Sequence, residues 1–307
     1  MKVLIVNNLT SGLHDGAIFE FMRKFVQDGD EIVIRNTDGN TLIARLVADA
    51  AKFDLVVAAG GDGTIASVCY ELRNTQIPIL PYPAGTGNLL ATNLNQPDEP
   101  YAIAAMARQP LLLDYDLGEI DFTLDGQTAT RGFAIIAGAG YDATIMEGAD
   151  RLKELMGPGA YVAAAVANPG PRLAHFRLTL DEGVVESDGI AALVLNFGKI
   201  FPDISITHDN NARDGLLEVA IVKTHNAVEL LPAIFAAFLD RTGGFPSRMD
   251  AIETYHARSV LIESDPPLNI QYDGEAPGAT TPLAARILPA ATRLVVTPEE
   301  FELRQQD

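Results

Sequence analysis

Up to about residue 115 the chain alternates short runs of β-branched and apolar residues with longer stretches in which apolar residues recur every three or four positions. The pattern predicts strands over 2–7, 31–35, 54–59 and 77–80. Helices are predicted over 17–27, 41–51, 65–73 and 88–94, with one more over 101–108 after the proline-bounded segment 97–100. Strand and helix alternating at this spacing build a mostly parallel sheet with right-handed crossovers. From about Leu111 the rhythm changes. Strands separated by turns are predicted over 114–120, 122–124, 129–137, 176–180, 189–196, 216–222, 259–263, 269–272 and 294–297, interrupted by helices over 142–156, 160–167 and 227–240. Many strands with few helices imply an antiparallel second domain, a β-sandwich. The chain carries no internal repeat, low-complexity tract or flexible linker, so the two domains are expected to be closely coupled.

Two glycine loops punctuate the first half: Gly60-Gly61-Asp62-Gly63-Thr64 after the run 55–59, and Pro83-Ala84-Gly85-Thr86-Gly87-Asn88 after the run 77–80. Both follow a strand and precede a helix, at the sheet edge where open α/β sheets bind ligands. Consecutive glycines let backbone N–H groups approach an anion because no Cβ blocks the way. A helix N-terminus adds partial positive charge at the same place. We therefore expect Gly60, Gly61, Gly63, Gly85, Thr86, Gly87 and Asn88 to hold a polyphosphate, with Thr64 capping the following helix and turning its hydroxyl to the phosphates. Asp62 is the unusual member, since a carboxylate repels phosphate unless a divalent cation intervenes; magnesium-linked chemistry accounts for it, and so does a helix-capping role. The GxxxxGK[ST] pattern of a P-loop is absent. Near the other end, Asp273-Gly274-Glu275 follows the strand 269–272 and reads either as an acidic turn or as a carboxylate placed to take a proton from a substrate hydroxyl.

Composition narrows the function classes. The 307 residues are 48% hydrophobic and 21% charged, which is globular, and long enough for two domains. Twenty-two basic against 41 acidic side chains give a net charge of −19, which opposes nucleic-acid binding and argues against a polybasic membrane patch. Any membrane contact is expected to be peripheral. The most apolar helical stretch, 230–239, is about half of the roughly 20 residues that span a bilayer, and Pro232 interrupts it. The start of the chain lacks the regions of a secretory signal, so a cytoplasmic location is expected. The single cysteine, Cys69, falls on the core side of a predicted helix and reads as a structural thiol. His14, His175, His208, His225 and His256 show no metal-ligand spacing. Phe235, Phe238 and Leu239 read as the core face of a helix before they read as a lipid-facing surface.

Taken in order, these motifs resemble the diacylglycerol kinase catalytic family, which includes sphingosine and ceramide kinases and bacterial lipid kinases. GGDGT looks like its nucleotide loop and PAGTGNLLA like its second glycine motif. Further matches are Asp116-Leu117-Gly118, the stretch 133–143 ending GAGYDA, Lys153 with Gly157 and Tyr161, Asp214-Gly215-Leu216-Leu217, and Asp273-Gly274-Glu275. The resemblance implies a Rossmann-like nucleotide domain over 1–115, rejoined by 289–307, and a β-sandwich lipid-substrate domain over 116–288, an architecture shared with NAD kinases. It implies ATP contacts from Asn8, Ser11, Gly12, Thr37, residues 61–67 including Ser67, and Thr86. Glu275 would accept the proton of the lipid hydroxyl, and Asp62 and Asp116 would organise magnesium and water. A structural magnesium site maps onto Asp214 and the main-chain oxygens of Asn211 and Leu216, where a plain hairpin turn explains Asp-Gly equally well.

Three positions depart from the family's pattern. Asn8 is followed by Leu9 where an Asn-Pro pair is usual, Leu89 stands where many bacterial members carry aspartate, and 197–202 replaces a glycine-rich segment. GAGYDA also fits a GxGxxA dinucleotide pattern but lacks the expected βαβ context. The expected activity is ATP-dependent phosphorylation of a lipid hydroxyl. NAD kinase and a nucleotide-binding regulator without transfer activity are the alternatives, and a homodimer is expected only from the general frequency of dimers.

Overall fold

The computed structural model describes residues 1–12, 16–85, 87–140, 172–201, 204–205, 211–223 and 252–304. The chain divides into two compact units, Met1–Leu117 with Pro289–Asp307, and Gly118–Leu288.

In the first unit, β1 (Lys2–Asn8) lies between β2 (Glu31–Thr37) and β3 (Leu55–Gly60), and β3 pairs with β4 (Pro78–Pro83), all parallel. All six residues of β3 are buried, as expected of a parallel strand covered on both faces. On one face Val3, Ile5 and Val57 pack against Phe21 and Phe25 of α1 (Ala17–Phe25), joined by Ile103 and Ala107. The expected helix 41–51 is instead one turn, α2 (Ile43–Leu46), followed by a 3-10 turn, Ala50–Lys52. The cause is Arg35: its guanidinium takes the Leu46 carbonyl and both oxygens of Asp49, so Ala50 N–H closes back on Val47 rather than continuing the α-helix. Next come α3 (Asp62–Glu71), α4 (Leu89–Asn93) and α5 (Pro100–Arg108). Cys69 on α3 is fully buried.

The strand β5 (Leu111–Leu124) carries the chain into the second unit without the break expected at residue 121. Asp121 is accommodated there by Thr130 and Arg286. The second unit contains β6 (Gln127–Phe133), β7 (Ile136–Gly140), β8 (Ala174–Leu180), β9 (Gly183–Gly189), β10 (Ala191–Leu195), β11 (Lys199–Phe201), β12 (Ile204–Ser205), β13 (Leu217–Val222), β14 (Ile252–Ala257), β15 (Ser259–Asp265) and β16 (Ile270–Tyr272), then β17 (Leu283–Val296). One antiparallel sheet runs β14-β13-β10-β7-β16. A second group places β15 between β17 and β8, with β9 outside and β5 paired to β6. Ala139, Val194, Val219 and Ile270 from the first face Phe122, Phe176, Ile262 and Leu283 from the second in one core, which makes the unit a β-sandwich. Gly118 lies opposite Phe133 across β5 and β6, and the aromatic ring occupies the space a Cβ would fill.

β17 passes back into the first unit, where Arg293 and Leu294 pair in parallel with β4, before the terminal helix α6 (Pro298–Leu303). The sequence pattern finds only the end of β17. The strand continues through Pro289 with Ala290 at φ 47°, and the buried Asp116 accepts the Ala290 N–H at 2.7 Å. The expected helices 142–156, 160–167 and 227–240 lie outside the described residues, as do His14, Thr86, Lys153, Gly157, Tyr161, His208, His225, Phe235, Phe238 and Leu239.

Candidate active site

In the first unit the carboxyl ends of β1, β2, β3 and β4 lie side by side, with Asn8 in register with Thr37 and Gly60 with Pro83. Three loops leave this edge and are tied to one another. Asn8 donates its side-chain N–H to the Thr64 hydroxyl at 2.8 Å, while its Oδ1 accepts from the Thr10 backbone N–H and hydroxyl. The Ser11 hydroxyl accepts the Gly61 N–H at 3.3 Å. Ala84 N–H donates to the Gly60 carbonyl at 3.1 Å. Leu9 donates its N–H to the Thr37 carbonyl at 2.8 Å, a bond that proline at this position could not make. Thr37 is buried, and its hydroxyl accepts the Gly39 N–H.

Two of the glycines are required by this crossing. A Cβ on Gly85 would fall 2.4 Å from the Gly61 Cα, and one on Gly12, at φ +63°, would fall 2.1 Å from the Ala84 carbonyl oxygen. The loops therefore touch backbone to backbone beside the amino end of α3. The second loop is closed by Asn88, in the left-handed region at φ 51°, whose amide accepts the Gly85 N–H and donates to the Gly85 carbonyl, both at 2.8 Å. Gly87 lies where a Cβ would meet Asp62 Oδ2 at 3.1 Å.

Thr64 does not cap α3, contrary to expectation. Gly61 is the cap residue, and α3 begins at Asp62, which leaves Thr64 inside the first turn with its hydroxyl on Asn8. Gly63 shares that turn, and Ser67 lies one turn further along α3. Asp62 Oδ2 accepts the Leu89 N–H at 3.0 Å and Oδ1 the Leu90 N–H at 2.9 Å, so it caps α4 from α3 and fastens the second loop to the first. Leu89, where an aspartate is usual in many bacterial relatives, supplies one of those N–H groups. Carboxylate oxygen is the donor a hard divalent cation takes. Magnesium bound there would neutralise phosphate charge. Asp116 is engaged with Ala290, as described above.

In the second unit Tyr272 and Glu275 face each other across a two-residue turn, with Glu275 N–H to Tyr272 O at 2.7 Å and Tyr272 N–H to Glu275 O at 3.0 Å. Asp273 and Gly274 have φ 41° and 84°, the tight hairpin geometry that an Asp-Gly pair favours. The Asp273 carboxylate accepts three backbone N–H groups, from Ala134 at 2.6 Å, Ile135 at 2.9 Å and Ile136 at 3.0 Å. This is why the expected strand 129–137 breaks into β6 and β7. The buried Asn196 reinforces the bend by donating to the Ala134 carbonyl at 2.8 Å. Sequence reasoning missed the roles of Asp273 and Asn196; the only local signal was the Asp-Gly pair itself. Glu275 is exposed at the end of the turn.

The turn of Asn211, Asp214 and Leu216 is also in the second unit. Asp214 Oδ1 accepts the Leu216 N–H at 2.9 Å, and Asp214 N–H reaches the Asn211 carbonyl at 3.3 Å, with Gly215 at φ 74°. Its donors are all oxygens, which suits magnesium, and the turn also closes by its own hydrogen bonds. Among the described residues no group of three or more His, Cys, Asp or Glu side chains could hold a metal ion. Nor is any helix among them long and apolar enough to cross a membrane.

A parallel α/β unit with two glycine loops, followed by a β-sandwich, is an architecture that diacylglycerol kinases and NAD kinases share, and comparison with known proteins narrows the class to lipid kinases. Residues 2–120 match the diacylglycerol kinase catalytic domain, and residues 135–296 match the YegS C-terminal NAD kinase beta sandwich-like domain. A diacylglycerol kinase of Mycobacterium tuberculosis is 30% identical over 269 residues, covering 84% of this chain and 81% of that protein. A Synechocystis protein is 26% identical over 257 residues, and there the match spans only 56% of the relative's length. A crystal structure of a putative diacylglycerol kinase from Bacillus anthracis has a TM-score of 0.76 at 20% identity, covering 97% of this chain and 96% of that one, and shares its fold. Yeast NADH kinase follows the same fold at a TM-score of 0.58 and 10% identity, covering 99% of this chain and 86% of its own. The chain belongs to the diacylglycerol kinase catalytic domain family.

Proposed function

We propose that the protein transfers the γ-phosphoryl group of Mg-ATP to the hydroxyl of a lipid alcohol of the diacylglycerol type. The observation that carries this reading is the backbone-to-backbone meeting of the two glycine loops, at Gly61 and Gly85, beside the amino end of α3. The positive end of the α3 dipole there suits a triphosphate. Asn8, Ser11, Gly12, Thr37, Gly60, Gly63, Thr64, Ser67, Thr86, Gly87 and Asn88 would complete the nucleotide contacts. Asp62 and Asp116 would take part in the magnesium and water network, and Asn211, Asp214 and Leu216 would hold a structural magnesium. In transfer, the substrate oxygen bonds to the γ-phosphorus, the bond from that phosphorus to the β–γ bridging oxygen breaks, ADP leaves, and Glu275 takes the hydroxyl proton. Positioning and electrostatics supply most of the acceleration for such a reaction. The acidic chain would meet lipid only at a membrane surface, transiently.

The test is incubation of the purified protein with magnesium and γ-labelled ATP on a panel of diacylglycerols, monoacylglycerols, long-chain bases, ceramide and NAD. A labelled lipid is expected and names the acceptor. Label only in NADP would replace this reading with NAD kinase, whose fold the chain shares, and ATP binding with no product would favour a regulator. Glu275→Gln should lower kcat by about 10²-fold or more, within the range for loss of a general base. Near-normal turnover in that variant would remove Glu275 from the role.

A further inference from the structure

The helix that follows the second glycine loop, α4, has five residues, too few to hold its own shape in water. Asp62 fastens its amino end. Its carboxyl end closes in a Schellman motif: Gln96 N–H reaches the Ala91 carbonyl at 2.9 Å and Asn95 N–H the Thr92 carbonyl at 3.2 Å, with Asn95 at φ 51°. Glycine adopts that left-handed conformation at less cost than any other residue. The side chain that asparagine brings to the turn makes a contact glycine could not, its Nδ2 donating to Glu300 Oε2 of α6 at 3.2 Å. Beside it, Gln96 Nε2 donates to the Val295 carbonyl of β17 at 3.1 Å. Glu300 is 1% exposed, and a buried carboxylate is costly unless it is paired and hydrogen-bonded. Both of its oxygens are engaged, because Oε1 accepts the Tyr115 hydroxyl of β5 and Arg304 Nε, each at 2.9 Å. The Thr297 hydroxyl accepts the Glu300 N–H at 3.1 Å and fixes the start of α6. An apolar side chain often fills a buried charged position with equal stability. What the carboxylate adds here is a link joining β5, α6 and the end of α4.

We infer that Glu300 is a positioning residue: through Asn95 it holds α4 from behind, and so keeps the Leu89 and Leu90 N–H groups on Asp62 and the second glycine loop against the first. The role rests on the nucleotide reading given under Proposed function. One short helix transmits the constraint, fixed at its amino end by Asp62 of α3 and at its carboxyl end by Glu300 of α6.

The test is Asn95→Gly in the full chain, which removes the contact and keeps the turn, whereas loss of Glu300 itself would leave buried partners unpaired. Amide hydrogen exchange at Leu89 and Leu90 should speed about fivefold while the amides of β1 and β3 keep their rates, within the worth of one hydrogen bond to a charged group. The ATP dissociation constant, by calorimetric titration, should rise about threefold, as for residues coupled through one network. Tyr115→Phe takes a hydrogen bond from the other oxygen of the same carboxylate. It should lower the thermal midpoint and leave both of those readouts unchanged. Exchange at Leu89 and Leu90 no faster than in the unsubstituted protein, or ATP affinity unchanged despite faster exchange, would overturn the inference. So would effects of Tyr115→Phe equal to those of Asn95→Gly on both readouts. An unsubstituted protein that binds no ATP would instead overturn the underlying reading, and the exchange measurement, which needs no nucleotide, tells the two failures apart.

Discussion

At Gly85 the distance to the facing backbone decides whether the two loops can touch. Gly85→Ala would place a methyl group 2.4 Å from the Gly61 Cα, so one loop must retreat from the other. The ATP dissociation constant should rise at least about tenfold, measured by calorimetric titration, for a loss of about 1.4 kcal/mol. Asp62→Ala removes the cap shared by the Leu89 and Leu90 N–H groups and should cost about 1 kcal/mol in urea unfolding, the usual worth of a cap. If Asp62 also serves magnesium, the same variant should weaken the magnesium dependence of turnover. The glycines were legible because a residue without a Cβ leaves a mark in the sequence. What the neighbouring polar groups do was not legible. Thr64 reads as a cap, yet Asn8, distant in sequence, claims its hydroxyl. Asp62 reads as a metal ligand or a cap, and only the folded chain shows which N–H groups reach it.

Strands with an uninterrupted apolar run were placed almost to the residue, as with β1 and β3, because burial on both faces leaves no other reading. Elements decided by distant partners were not. β9 is mostly polar and glycine-bounded, and it is a strand only because β8 pairs with its whole length. The shortened α2 is decided by Arg35 on β2, and that contact carries a pH dependence. The bidentate Arg35 guanidinium, at 2.5 and 3.1 Å, holds the Asp49 carboxyl below the usual carboxylate range. A depressed carboxylate contributes stability that is complete above its unfolded value of about 3.9 and is lost as pH falls through the folded value. Asp49→Asn should therefore lower the thermal midpoint by a constant amount from about pH 8 to 5. The gap to the unsubstituted protein should close below about pH 4, as followed by circular dichroism.

For the whole molecule, the net charge of −19 sets how it would meet a lipid surface. With a lipid acceptor carried in anionic vesicles, repulsion should weaken the encounter at low salt, and screening should relieve it as the Debye length shrinks from about 30 Å at 0.01 M to about 8 Å at 0.15 M. Initial rates on anionic vesicles should accordingly rise with salt over that range, while rates on neutral vesicles stay flat. Charge balance was fully readable in the sequence, and so was the change of rhythm near Leu111. The family resemblance implied the return of 289–307 to the first unit, but the pattern showed only the end of β17, at 294–297, and not that one strand serves both units. That route governs how the protein is made. On the ribosome the first four parallel strands emerge early, yet the strand that covers the outer edge of β4 comes only after the whole sandwich has been translated. At about 5–20 residues per second, that edge stays open for roughly ten seconds or longer. An uncovered strand edge is a template for pairing with other chains, so during synthesis the nascent kinase depends on whatever shields β4 until its own last strand arrives.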